Sequence, residues 1–213
     1  MRWFGIQVDR MNSDDRRNID FYNSKLLEYG ENFKALDWGS KTSQISRFKV
    51  LTEIGMVSGD SILDVGCGLA DFYEWMKVSK FNFKYTGIDI TPEMAKKAQA
   101  RFPNISIINT TIFDNFNSNR CFDYVMASGI FVFREKNPEQ YLFSTIKKMF
   151  SLCDKGIAFN SLSSWSKDQA IDEYYADPTR TISFCRELTP SVVLRHDYHP
   201  GDFTIYMYKR KAS

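Results

Sequence analysis

Two aspartates and a glycine turn between them are the residues best placed to do chemistry in this chain. Residues 61–65 read Ser-Ile-Leu-Asp-Val, a short apolar β-run with Asp64 near its end, and Gly66-Cys67-Gly68 follows at once. A glycine pair between a buried strand and a helix lets a ligand come close to the backbone, with the helix N-terminus behind it. About twenty residues on, a second β-run closes on Asp89, where an acid can accept from both hydroxyls of a ribose. Strand, glycine turn, helix, strand and acid together make a unit for an adenosine-containing cofactor.

The spacing narrows the cofactor. A nicotinamide or flavin fingerprint needs a third glycine three residues after the second, and here that place holds Asp71. A Walker loop needs a glycine followed by Lys-Ser/Thr, and the sequence contains none. An acid two residues before the first glycine suits a ligand with a cationic amine and no phosphate.

The elements that must position these groups alternate. Apolar spacing predicts a helix over residues 19–29 stopped by Gly30, a turn at Trp38-Gly39-Ser40 and an amphipathic helix over 43–54. After the strand at 61–65 comes a helix from Ala70 to about Lys77, then a strand at 84–88. Thr91 and Pro92 open the next helix as cap and first-turn residue. Strands follow at 105–108, 122–127 and 156–160, with a helix over 138–152, and residues 192–195 and 204–209 form a closing strand pair. Residues 1–20 receive no assignment beyond the start of the first helix, and 161–177, with Trp165, Tyr174 and Tyr175, reads as a lid or acceptor wall. This order predicts a Rossmann-like α/β fold: a doubly wound seven-stranded sheet, mostly parallel, with an antiparallel C-terminal strand and helices on both faces. One domain is expected over 1–213, with 1–43 as a helical cover and 44–213 as the cofactor-binding core.

Three segments carry a resemblance to a known family: ILDVGCGLADF at 62–72, YTGIDITPEMAKKA at 85–98 and FDYVMASGIF at 122–131. In this order they resemble the class I S-adenosylmethionine-dependent methyltransferases over roughly residues 44–213. The resemblance implies that Gly66, Cys67 and Gly68 lie at the methionine part of S-adenosylmethionine and that Asp64 holds its amine. Cys67 itself reads as packing rather than as a nucleophile. Asp89 would accept from the ribose hydroxyls, Ile90 and Met94 would flank the adenine, and Thr111 stands nearest to the adenine amine, with Asp114 three residues late. Ala127 and Ser128 would line the sulfonium region. Arg47 would meet the cofactor carboxylate, for which a guanidinium fork is suited. Two places depart from the pattern: Ala70 replaces a third glycine, and no acid follows the third strand directly.

On the acceptor side the candidates are Tyr22, Tyr29 and Trp38 in the N-terminal cover and Phe131, Phe133 and Arg134 after the fourth strand. No residue stands out as a catalytic base; His196 and His199, the only histidines, lie near the final hairpin, where a structural role is the simpler reading. A net charge of +2 gives no footprint for nucleic acid, and Ala127-Ser128-Gly129 replaces the Pro-Pro-aromatic signature of nucleobase amine methylation. No carboxylate pair stands there to hold a metal. A small or modest-sized acceptor (a metabolite, sugar or lipid-like precursor) is the favoured reading. A protein or RNA acceptor, and a catalytically silent cofactor-binding subunit, stand as alternatives. No apolar run approaches the roughly 20 residues that span a bilayer. Residues 1–17 lack the apolar block of a secretion signal, and the four cysteines are widely scattered, so reduced thiols in a cytoplasm are expected. The sequence leaves the oligomeric state open.

Overall fold

The computed structural model describes residues 13–80, 82–114, 121–133 and 136–209. Their strands are β1 (Ser61–Val65), β2 (Lys84–Asp89), β3 (Ser106–Asn109), β4 (Phe122–Ala127), β5 (Cys153–Leu162), β6 (Val192–Arg195) and β7 (Asp202–Tyr208). They form one seven-stranded sheet in the order β3-β2-β1-β4-β5-β7-β6. β1 through β5 pair in parallel, and β7 runs antiparallel to both β5 and β6. The strand order reverses between β1 and β4, and the crevice beyond the carboxyl ends at such a switch point is where open α/β sheets bind ligands.

The helices are α1 (Ser13–Tyr29), α2 (Lys41–Thr52), α3 (Asp71–Val78), α4 (Pro92–Arg101), α5 (Pro138–Ser151) and α6 (Pro178–Leu188). Alternate strand residues feed opposite layers. Leu63, Val65, Val125, Ile157, Phe159, Ile205 and Met207 join Leu142, Ile146 and Met149 of α5 and Cys185 of α6. Ile62, Tyr124, Met126, Ala158 and Tyr206 join Phe48 and Leu51 of α2 and Phe72 and Met76 of α3. The i, i+4, i+7 spacing of Leu142, Ile146 and Met149 puts all three on the buried face of α5, where each contributes roughly 1.5–3 kcal/mol. α4 is tied to α3 by Arg101, whose guanidinium reaches Asp71 at 2.7 Å and Glu74 at 2.6 Å.

The N-terminal part lies beside this layer. Leu26 of α1, Ala35 of a short 3-10 helix (Phe33–Leu36), Leu69 and Met94 form a separate small cluster. Lys25 meets Asp37 at 2.8 Å within the cover, and Lys97 of α4 meets Glu31 at 3.1 Å, tying the cover to the core. α2 begins at Lys41, capped by Ser40 whose Oγ accepts from Ser43 N at 3.0 Å, so the 43/44 boundary falls inside a helix.

Several elements differ from the sequence reading, among them β5, which runs Cys153–Leu162 where a strand over 156–160 was expected. α1 reaches back to Ser13, through polar residues that gave no periodicity. α6 was absent from the reading, although Asp177 caps it from Oδ1 to Thr179 N and Arg180 N and Pro178 sits in its first turn. β7 starts at Asp202, ahead of the strand expected from residue 204, because the antiparallel pairing with β5 extends to Leu162.

Candidate active site

The glycine turn is clamped to the end of β2 by main-chain bonds. Gly66 N and Cys67 N both donate to Ile88 O, at 2.8 and 3.0 Å. Asp89 completes the clamp: Oδ2 accepts from Gly68 N at 2.8 Å and Oδ1 from Thr91 N at 2.8 Å. One N–H on each oxygen leaves lone pairs on both for a ligand. Burial pushes this carboxyl above its ordinary pKa, against the two backbone donors that favour its charge.

Asp64 lies one strand over and is 3% exposed. Its Oδ2 accepts from the Tyr85 hydroxyl at 2.5 Å. Burial pushes its pKa up to about 7, opposed by the Tyr85 hydrogen bond and assisted by the nearby charge of Asp89. The buried Cys67 thiol is raised well above its usual range for the same reason, which suits packing and not nucleophilic chemistry.

Gly66 and Gly68 adopt φ of +71° and +54°. A Cβ on Gly66 would collide with Ile130, and one on Gly68 would meet Leu36 Cδ2 at 2.6 Å. Ala70, at the place of the missing third glycine, also sits in the left-handed region with φ 60°. The pattern's glycine conformation is therefore kept there with a methyl attached.

A cavity of about 840 Å³ opens over this turn. That lies within the roughly 300–1,000 Å³ of small-molecule sites. Asp64, Gly66, Cys67, Gly68, Asp89, Ile90, Met94, Thr111 and Ser128 all line it, as the sequence reading expected. Tyr22 and Trp38 of the cover and Phe133 after β4 line it too. Trp38 closes over the β4 end, within 3.1 Å of where a Gly129 side chain would start.

Four expected residues lie elsewhere, and a fifth is not described. Arg47 forms a buried ion pair with Asp202 and a further bond to Ser43, and its guanidinium stacks on Trp38 at 4.9 Å from the ring centroid. It does not line the cavity, because the β7 carboxylate has already claimed it. Tyr29 sits at the open end of α1, 37% exposed and beside Lys25 and Lys34. Phe131 points into the core between Tyr141 and Phe159. Ala127 is fully buried in β4. Arg134 lies outside the described residues. The 161–177 segment folds onto the β4–α5 loop, with Tyr174 N donating to Val132 O at 2.8 Å, and none of its residues lines the cavity. His196 bonds Ser163 Oγ at 2.7 Å and His199 accepts from Gly201 N at 3.1 Å, both away from the cavity.

Asp114, which the sequence placed three residues late, folds back onto the β3 end, its Oδ2 accepting from Thr110 Oγ1 at 2.9 Å and Thr111 N at 3.1 Å. The acid that was missing directly after β3 is thus supplied from three residues further on. Gln44, fully buried, donates to Asp71 at 3.0 Å while its Oε1 has no partner. Phe113 and Tyr141 extend the aromatic wall. Among the described residues, no cluster of His, Cys, Asp or Glu could hold a metal ion.

These features fit an S-adenosyl nucleoside. The glycine cradle has no room for side chains, two strand-end carboxylates face the cavity, and an orphaned buried acceptor on Gln44 waits for a donor. Comparison with known proteins gives the same class. The methyltransferase domain family matches residues 62–152. Rv1506c of Mycobacterium tuberculosis, itself an inferred methyltransferase, is 36% identical over 160 residues, 72% of this chain and 94% of its own length. Among solved structures, DhpI with S-adenosylhomocysteine superposes with a TM-score of 0.64 at 14% identity, covering 91% of this chain and 95% of that one. The plantazolicin methyltransferase BamL, bound to S-adenosylhomocysteine and a triazolic desmethylPZN analog, gives 0.66 at 14% identity, covering 92% and 96%. Fold and site define a Rossmann-like methyltransferase. The chain belongs to the class I S-adenosylmethionine-dependent methyltransferases, and S-adenosylmethionine is its cofactor.

Proposed function

We propose that the chain methylates a small or modest-sized organic acceptor. The observation behind this reading is the lining of the cavity, where the aromatic side chains of Tyr22, Trp38, Phe113, Phe133 and Tyr141 stand beside the glycine turn and the strand-end acids. The neighbours support it, since BamL is bound to a triazolic natural-product analog.

When bound, S-adenosylmethionine supplies a methyl already activated on a sulfonium, open to in-line displacement by an acceptor atom. The protein's part is to bind, align and dry the site. Asp89 would accept from the ribose hydroxyls, Ile90 and Met94 would flank the adenine, and Thr111 with Asp114 would take the adenine amine. Asp64 would take the methionine ammonium. Trp38 and Tyr22 exclude water from above. Alignment of donor and acceptor can supply roughly 7–11 kcal/mol of the barrier, so proximity and desolvation do most of the work. Burial raises the Tyr22 phenol far above its usual pKa, which disqualifies it as a base near neutrality.

The test uses a cell extract fractionated into small molecules, protein and RNA, each incubated with the enzyme and methyl-labelled cofactor. Label entering the small-molecule fraction is the expected result. Label confined to protein or RNA would overturn the acceptor class, and no transfer to any fraction would favour a silent cofactor-binding subunit.

A further inference from the structure

The end of β4 holds a hydrogen-bond chain whose direction can be worked out. Asn160 on β5 is 2% exposed, and its Oδ1 accepts from Gly129 N at 2.9 Å. A backbone N–H can only donate, so this bond fixes which way the amide is turned. The other end, Nδ2, must then donate, and it meets Ser128 Oγ at 3.0 Å. Asn160 fills one of the two lone pairs of Ser128, and the hydroxyl proton stays free to be offered to the cavity that Ser128 lines.

The position of that proton says what it serves. Ser128 and Ile130 flank Gly129, and Ile130 covers the first glycine of the turn. Ser128 therefore borders the methionine end of the cofactor site. The cofactor carries a carboxylate there, yet no Lys, Arg or His of the described residues lines the cavity. Arg47 is held by Asp202. Among the described residues that line the cavity, the donors are neutral.

We propose that Asn160 locks Ser128 as the hydrogen-bond donor to the cofactor's carboxylate, in place of a guanidinium. This rests on the cofactor assignment above and deepens it. Asn160 is a positioning residue: it acts only through Ser128.

The test is calorimetry with two probes that differ in one group, S-adenosylhomocysteine and decarboxylated S-adenosylhomocysteine. Ser128→Ala is expected to weaken the first by about ten- to a hundredfold, the range for a hydrogen bond to a charged group, and to leave the second within about twofold. Asn160→Asp keeps the acceptor for Gly129 N. Once ionised, its carboxylate can only accept, so it turns the Ser128 proton away from the ligand; protonated, it can donate as the amide did. Measured against the wild-type chain at the same pH, this variant is therefore expected to fall further behind in S-adenosylhomocysteine affinity as pH rises and to close the gap as pH falls, a profile that a merely structural defect does not give. Equal losses for both probes, or unchanged affinity for S-adenosylhomocysteine in Ser128→Ala, would overturn the proposal. Failure of the wild-type chain to bind S-adenosylhomocysteine would instead remove the cofactor reading beneath it.

Discussion

The Tyr85 hydroxyl and the Asp64 carboxylate form a buried 2.5 Å pair, carried on adjacent parallel strands, with Asp64 two residues before the first glycine of the turn. Tyr85 stabilises the charged form of Asp64, burial opposes it, and Asp89 and the Cys67 thiol face the same space.

From this pair follows a pH dependence. Asp64 is raised from 3.8 to about 7, so the folded chain holds its proton more tightly than the unfolded chain. The associated stability is full below the unfolded value of 3.8 and is lost as pH rises toward about 7. An ammonium ligand needs the ionised form, so affinity for S-adenosylhomocysteine should fall as pH drops below about 7. Tyr85→Phe removes the bond that favours the charge and should shift the midpoint of this profile upward. Calorimetry across this range reads both effects; a flat profile would refute the assignment of Asp64.

Asp89 joins the clamp to the ligand. Asp89→Ala should weaken S-adenosylhomocysteine binding by at least about tenfold, or roughly 1.4 kcal/mol. It should also lower the melting temperature, since Gly68 N and Thr91 N lose their acceptor. Wild-type affinity in a folded variant would remove the ribose role.

Gly87 on β2 is closely packed beneath the turn. A Cβ there would lie 2.7 Å from Cys67 Sγ and 2.8 Å from Ile107 Cδ1. Gly87→Ala should cost about 1–3 kcal/mol of stability by overpacking, read by denaturant unfolding. Adding Cys67→Ala should recover part of that loss by removing one of the two clashes.

The Arg47–Asp202 pair is buried on both sides, so removing one partner alone strands a charge. Arg47→Ala should therefore cost about 3–5 kcal/mol of stability. The double variant Arg47→Met, Asp202→Leu should recover most of it and keep wild-type affinity for S-adenosylhomocysteine. A double variant that folds but binds tenfold or more weakly would return Arg47 to the cofactor carboxylate.

The cofactor half of the site was legible because its chemistry is local. Strand, glycine turn and strand-end acid are contiguous, so Asp64, Gly66, Gly68 and Asp89 could be read from spacing, and each lines the cavity. Arg47 was misplaced because its partner Asp202 lies on β7, far along the chain, and no spacing rule links them. Asp114 was set aside as three residues late, since only the folded loop shows it bonding back to Thr110 and Thr111. Phe131 and Phe133 look alike in sequence, yet β4 ends between core and crevice and sends the first inward. α6 could have been found from Asp177-Pro178, a cap and first-turn proline of the same kind that identified α4.

The most direct measurement of the central claim is parallel titration of the purified chain with S-adenosylhomocysteine and with NAD. One S-adenosylhomocysteine site per chain, abolished or weakened at least tenfold in Asp89→Ala, and no binding of NAD is the predicted result. A folded chain that binds NAD, or that takes up no S-adenosylhomocysteine, would contradict it.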